Sequence, residues 1–301
     1  MSVKDTLEDI KSLKIQGAQN IAIETALALQ LFIEDSIFKD SEDLIFKLKK
    51  IKKQFFETRP TEPAMRNTLN YILNVNYTSD FYNLKKQLLN NIKKVQSFFK
   101  KSNQKINILV NRKLKYSHVL FTHCHSSTVT SAIIYSFKKG NNIEVNNTET
   151  RPFYQGRKTA IELSKKGIKV NHFIDSAAKN ALKNADFVLI GCDAILSTGE
   201  IINKIGSEYI AEIAKKYDIP VYVCTNSWKF DPLTIEGYEE LIEERNKEEV
   251  WPNCPKNIKI YNPIFEIIKP EYITGIISEL GIYPPMVFIE ELRRESSWIF
   301  D

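Results

Sequence analysis

The sequence predicts an α/β protein, with an N-terminal helical domain over residues 1–104 and a Rossmann-like, mainly parallel doubly wound sheet over residues 105–301. Two observations carry this. Up to about residue 104, glycine is almost absent and apolar side chains recur at three- and four-residue steps, the period of a helix. Beyond it, short apolar runs alternate with polar turns and helix-like segments, the pattern of parallel strands covered by helices on both faces.

The first apolar stripe runs through Ile10, Leu13, Ala18 and Ile21 to Leu31. Further helices read over 41–57, 63–76 and 79–103. Pro60 and Pro63 separate two of them, and Thr78-Ser79-Asp80 offers an N-cap to the last. The strand candidates are Ile106–Val110, His118–Phe121, Ile143–Asn146, Lys169–Ile174, Phe187–Ile190 and Val221–Cys224. Asn141-Asn142 is a turn. Glu236–Lys256 is charged and holds Pro252 and Pro255, so it reads as a helix end and a surface loop. No internal repeat is visible.

Composition narrows the function classes. The chain is 43% hydrophobic and 26% charged, ordinary for a globular protein. A net charge of +5 suits a small anionic ligand, yet no stretch is basic enough to argue for nucleic acid. No apolar run is long enough to span a bilayer. The start, MSVKDTLEDIKSLK, lacks the form of a secretory signal, so a cytoplasmic setting is expected. The four cysteines, Cys124, Cys192, Cys224 and Cys254, are too widely spaced for a zinc cluster and suit reduced thiols. Neither a metal nor a redox cofactor is expected.

Open α/β sheets bind ligands beyond the carboxyl ends of their strands, which selects a few loops. After the run ending at Phe121 come Thr122-His123-Cys124-His125, then Ser126-Ser127-Thr128 opening a helix. A helix start with small hydroxyl residues suits a phosphate, and its positive end is expected to lower the pKa of the Cys124 thiol. His123 and His125 fit either structural hydrogen bonding or catalysis. After the run ending at Ile190, Gly191 permits close backbone approach and Asp193 stands at the ligand edge as a candidate acid or base. Ser197-Thr198-Gly199 is a turn, and Asn203-Lys204 present an amide and a cation. Arg151 can grip a phosphate bidentately. Lys229, between Trp228 and Phe230, is a placed ammonium. Arg59, with Arg66 shortly after, can point toward the ligand from the helical domain.

These residues resemble the superfamily that joins ribose-1,5-bisphosphate isomerases, methylthioribose-1-phosphate isomerases and the regulatory subunits of translation initiation factor 2B. The resemblance runs through SLKIQGA, TRPT, THCHSS, TETRPFYQGR, DSAAKNAL, GCDAILSTGEIINKIG, WKF and YNPIFEIIKPEYITGIISELGIYPP. The Cys of THCHSS together with the Asp of GCDAI is similar to the enzymatic branches, and the PEYITGIISELGIYPP end to the archaeal ribose-bisphosphate enzymes. The resemblance implies that Cys124 takes a proton from C2 and that Asp193 protonates the ring oxygen. It assigns phosphopentose binding to Ser126, Ser127, Thr128, Asn203, Lys204 and Lys229; Gln16, Gly17, Ala18 and Gln19 hold the place of its first-helix motif, and Arg59 and Arg151 join them as candidates read from the residues themselves. It also implies a homodimer or a homohexamer. Two positions depart from the pattern. Gln16-Gly17-Ala18-Gln19 stands where the isomerases carry an RGAG-like segment, and Asn226 where Glu is usual. Two other readings stay open on the sequence: a non-catalytic regulator that binds a sugar phosphate or nucleotide, and an isomerase of another 1-phosphorylated sugar.

Overall fold

The computed structural model describes residues 2–59, 62–116, 119–238 and 242–300. The chain divides into two compact units, 1–101 and 102–301.

The first unit holds α1 (Val3–Lys11), α2 (Ala18–Asp35), α3 (Ser41–Thr58), α4 (Pro63–Leu73) and most of α5 (Phe81–Lys113). Ser2 and Asp5 close α1 with a capping box, and Asp40 caps α3 by accepting from the Asp43 N–H. The single stripe expected from Ile10 to Leu31 is two helices. Leu13 and Gly17 take left-handed backbone, at φ 60° and 86°, and interrupt it between Lys11 and Ala18. Pro60 and Thr61 lie outside the described residues.

The expected strand Ile106–Val110 is helical, because α5 runs on to Lys113. Leu84, Leu88, Ile92, Val95, Phe99, Ile106, Val110 and Leu114 are all buried and three, four or seven residues apart. That spacing continues one helical face, so the apolar run was one side of a helix and not a strand. Ile106, Val110 and Leu114 pack into the core of the second unit with Leu120, Val145, Leu189 and Tyr222.

The second unit contains β1 (Val119–Thr122), α6 (Ser127–Lys138), β2 (Glu144–Thr148), α7 (Gln155–Ser164), β3 (Lys169–Phe173), α8 (Ala178–Leu182), β4 (Phe187–Ile190), β5 (Ala194–Ile195), β6 (Ile201–Lys204), α9 (Ser207–Lys216), β7 (Val221–Cys224), β8 (Phe265–Ile268), β9 (Gly275–Ile277), β10 (Ile282–Tyr283) and α10 (Pro285–Glu295). His118, the first residue of one expected strand, lies outside the described residues. Seven strands form the main sheet in the order β10-β9-β7-β4-β1-β2-β3. All pair in parallel except β10 with β9. Every residue of β4 and of β7 is buried, as central strands covered on both faces require.

The strand order reverses between β1 and β4. From β1 the chain moves outward through β2 and β3, then returns to lay β4 along the other side of β1. Such a reversal leaves a crevice beyond the carboxyl ends of the two central strands.

A second, antiparallel sheet, β5-β6-β8, lies outside what the sequence predicts. Ala194, Leu196, Ile202, Ile264 and Phe265 form its own small core. Its strands are two to four residues long, too short to display a period.

Close backbone approach sets one junction. A Cβ at Gly156, at the start of α7, would lie 1.7 Å from the Thr148 carbonyl oxygen at the end of β2. Gly156→Ala is therefore expected to destabilise the protein by at least about 1–3 kcal/mol, read as a lowered urea midpoint.

Candidate active site

β1 and β4 are hydrogen-bonded neighbours, with Phe121 opposite Val188. Their following loops therefore leave the sheet side by side. One carries His123 and Cys124, and the other carries Gly191, Cys192 and Asp193. A Cβ on Gly191 would lie 2.8 Å from both Cβ and Oγ of Ser126, so glycine alone lets the two loops meet.

Cys124 is 9% exposed and Asp193 is half-buried. Burial pushes the thiol up to about 11. The Lys204 ammonium and a hydrogen bond from the His125 N–H pull it down, while the Asp193 and Asp175 carboxylates push it further up. Two carboxylates and one ammonium thus act on the sulfur. This corrects the expectation of a lowered pKa. Helix α6 begins at Ser127, with Ser126 as its N-cap, so Cys124 stands outside the first turn. Desolvation of the thiolate outweighs the helix end.

The loop that holds Cys124 is tightly held. Cys124 takes left-handed backbone at φ 64°, and so does Thr150, after β2, at φ 61°. Such backbone costs a β-branched or bulky residue about 1–3 kcal/mol and persists only when surroundings impose it. The Cys124 N–H donates to Thr150 Oγ1 at 3.0 Å, and Thr159 Oγ1 donates to the Cys124 carbonyl at 2.8 Å. Asp175, just after β3, accepts from the Thr150 N–H at 2.7 Å and from the Arg151 N–H at 2.8 Å.

Both histidines of the THCHSS segment are structural partners in this arrangement. His123 is buried, and burial holds its pKa below the usual value. As a neutral ring it donates from Nε2 to the Ile205 carbonyl at 2.8 Å and accepts the Thr148 hydroxyl at Nδ1. Burial lowers His125 to about 4, with Lys158 adding to the shift. The Thr159 hydroxyl gives its hydrogen to Cys124, so His125 Nδ1 carries the hydrogen of their 3.1 Å bond.

The cationic and hydroxyl residues fall in different surroundings. Ser126 is half-buried, Ser127 exposed and Thr128 buried, all at the start of α6. Asn203 is buried on β6 and donates to Ser207 Oγ at 3.0 Å. Lys204 follows it, with Nζ 4.9 Å from the centre of the Phe265 ring. Lys229 is buried, and its ammonium donates to the Cys192 carbonyl, one residue before Asp193. Arg151 is exposed, and its guanidinium donates to Tyr154 Oη and to the Val250 carbonyl at 3.1 Å. The positive end of α9 is occupied by the chain itself, since the Glu266 carboxylate of β8 accepts the Glu208 N–H at 2.6 Å.

In the helical unit, Gln16 and Gly17 are exposed while Ala18 and Gln19 are buried at the start of α2. Gln16 Nε2 donates to the Leu13 carbonyl at 2.7 Å, and Gln19 Oε1 is buried without a partner. Arg59 pairs with Glu62 at 2.9 Å.

Sequence reading marked the segment from Thr150 to Thr159 for Arg151 and gave Thr150, Thr159 and Asp175 no role. Asp175 follows a strand at the carboxyl edge, the same signal that selected Asp193. Among the described residues, no cluster of His, Cys, Asp or Glu could hold a metal ion.

The fold and this edge define a member of a known α/β family. Residues 14–285 match the Initiation factor 2 subunit family, and the chain belongs to it. It is 37% identical to a ribose 1,5-bisphosphate isomerase of Pyrococcus furiosus, across 99% of this chain and 95% of that protein. It is 31% identical to a methylthioribose-1-phosphate isomerase of Symbiobacterium thermophilum, across 97% of this chain and 86% of that one. Among solved structures it resembles a translation initiation factor eIF-2B of Pyrococcus horikoshii at a TM-score of 0.83 and 24% identity, covering 95% of this chain and 98% of that one, a likeness of fold.

His125 makes stability depend on pH. Its pKa is near 6.5 unfolded and about 4 folded, so unfolding takes up a proton between those values. Stability is full above the upper value and declines as pH falls toward the lower. The unfolding free energy is expected to be smaller at about pH 5 than at about pH 7, and His125→Gln to narrow that gap, measured by urea titration at both pH values.

Proposed function

We propose that this protein is an aldose–ketose isomerase that converts ribose 1,5-bisphosphate to ribulose 1,5-bisphosphate, with Cys124 and Asp193 as its proton-transfer pair. The observation that carries the reading is their position on the paired loops after β1 and β4, where the strand order reverses. The names of relatives at 30–37% identity over nearly the whole chain support the reaction.

The chemistry balances with these two groups. In the reacting form the proton of the Cys124 thiol has passed to Asp193, which delivers it to the ring oxygen as the bond from C1 to that oxygen breaks. The Cys124 thiolate takes the proton from C2, and the electron pair of that bond forms the C1–C2 double bond of an enol. The enol O2–H then returns its proton to the Asp193 carboxylate. The C2 carbonyl forms as Cys124 gives its proton to C1. Each group ends as it began. The anionic character that develops between C1 and C2 is stabilised by the nearby Lys204 cation.

The phosphates are assigned to the start of α6, at Ser126, Ser127 and Thr128, and to Gln16, Gly17, Ala18, Gln19, Arg59, Arg151, Asn203, Lys204 and Lys229. Remote phosphates supply binding energy to the reacting carbons. The protein is also proposed to act as a homodimer or a homohexamer in a reducing cytoplasm, where its four thiols stay free. Among the described residues no helix is long and apolar enough to cross a membrane.

Incubation with ribose 1,5-bisphosphate, followed by NMR, is expected to give ribulose 1,5-bisphosphate, and Cys124→Ser or Asp193→Asn to reduce turnover by about a hundredfold or more. A folded wild type that leaves the bisphosphate unchanged defeats the reading, and turnover of methylthioribose 1-phosphate instead reassigns the substrate. Lys204 favours the thiolate that the reaction uses, so Lys204→Met is expected to lower kcat/KM at neutral pH.

A further inference from the structure

We propose that Asp175 and Thr150 are positioning residues for Cys124, forming a relay across three adjacent strand ends that holds the thiol in place. The task given to the thiol rests on the isomerase reading; the relay itself rests on geometry.

β3, β2 and β1 are neighbours in the sheet, and one residue from the loop after each strand takes part. Asp175, after β3, uses both carboxylate oxygens on successive backbone N–H groups of the loop after β2, those of Thr150 and Arg151. This pins Thr150 in left-handed backbone at φ 61°. The pinned residue is buried at 1% exposure and turns its hydroxyl oxygen to the Cys124 N–H, 3.0 Å away. Cys124 is thereby held in left-handed backbone of its own, at φ 64°. Neither residue is glycine, and a β-branched threonine rarely adopts such backbone unless its surroundings impose it. Two such residues linked by one hydrogen bond beside a candidate base are a place where geometry is fixed in advance.

Asp175 has a second effect, through space. Its carboxylate acts on the Cys124 thiol together with Asp193 from the loop after β4, Lys204 from β6 and the backbone of His125. Of these four, the carboxylates raise the thiol and the other two lower it. Asp175→Asn removes one negative charge and one of the two acceptor positions. The thiol is then expected to titrate at lower pH.

The test uses Asp175→Asn, Thr150→Val and Thr150→Ser in the full chain, with two readouts. One is steady-state turnover of ribose 1,5-bisphosphate. The other is the pH titration of the Cys124 13Cβ resonance, assigned by its loss in Cys124→Ser, which needs no turnover. Asp175→Asn is expected to lower kcat by about tenfold to a hundredfold with little change in KM, the scale of a small misplacement of a reacting group. It is also expected to shift the Cys124 titration toward acid. Thr150→Val, of nearly the same volume as threonine, is expected to lose turnover to a similar extent, and Thr150→Ser to keep it. An unmoved titration with wild-type kcat in Asp175→Asn overturns the proposal, as does Thr150→Val matching Thr150→Ser. If Asp175→Asn does not fold, the Thr150 pair decides. If the wild type itself does not turn over the bisphosphate, the isomerase reading fails, and the Cys124 titration in Asp175→Asn still decides the relay.

Discussion

The backbone pairing of β1 with β4 is what the site hangs on. These two strands are 66 residues apart in sequence, from Phe121 to Phe187, yet they lie side by side because the chain reverses its direction of travel across the sheet there. Leu120 and Phe121 face Phe187 and Val188, and all four are buried. A slip of one residue in that pairing would turn every buried side chain of the strand to the other face, so the register is firmly set. Whatever leaves the carboxyl ends of the two strands is therefore held in a fixed relation. Cys124 and Asp193 inherit their relation from that ladder.

Around this centre the polar groups serve one another before they serve any ligand. His123 links the end of β1 to the turn before α9, and Thr159 ties α7 to the Cys124 carbonyl. Lys229 fastens the loop that carries Asp193 by its bond to the Cys192 carbonyl. Buried hydrogen bonds of this kind gain strength from a low local dielectric, and they leave few groups free to wander. Lys204, on the small antiparallel sheet, supplies a cation that acts on the thiol. The second sheet thus brings charge to an edge built by the first.

Much of this was legible in the sequence. The alternation of short runs and turns after residue 118 located β1, β2, β3, β4 and β7 to within a residue or two, most clearly β4 and β7, which are buried, continuous apolar stretches. The glycines and polar residues at their ends marked Cys124 and Asp193 for inspection. Other parts were hidden. The run Ile106–Val110 has the length and composition of a short strand, and only its continuity with Phe99 and Leu114 on one buried face makes it helix. The second sheet was invisible because strands of two to four residues carry no period. Asp175 was overlooked because its partners are backbone N–H groups of another loop, and nothing in a linear sequence reports which loops become neighbours. The direction of the Cys124 shift was misjudged for a similar reason: burial is a property of the packed chain.

The burial of Cys124 also bears on how long the protein lasts. Peroxides attack thiolates, and damage follows both ionisation and access. A sulfur that is 9% exposed and holds its hydrogen up to about 11 offers oxidants little to react with. Cys192, buried and pushed up to about 12, is shielded in the same way. A buried thiol that keeps its hydrogen needs less repair than one that is open and ionised.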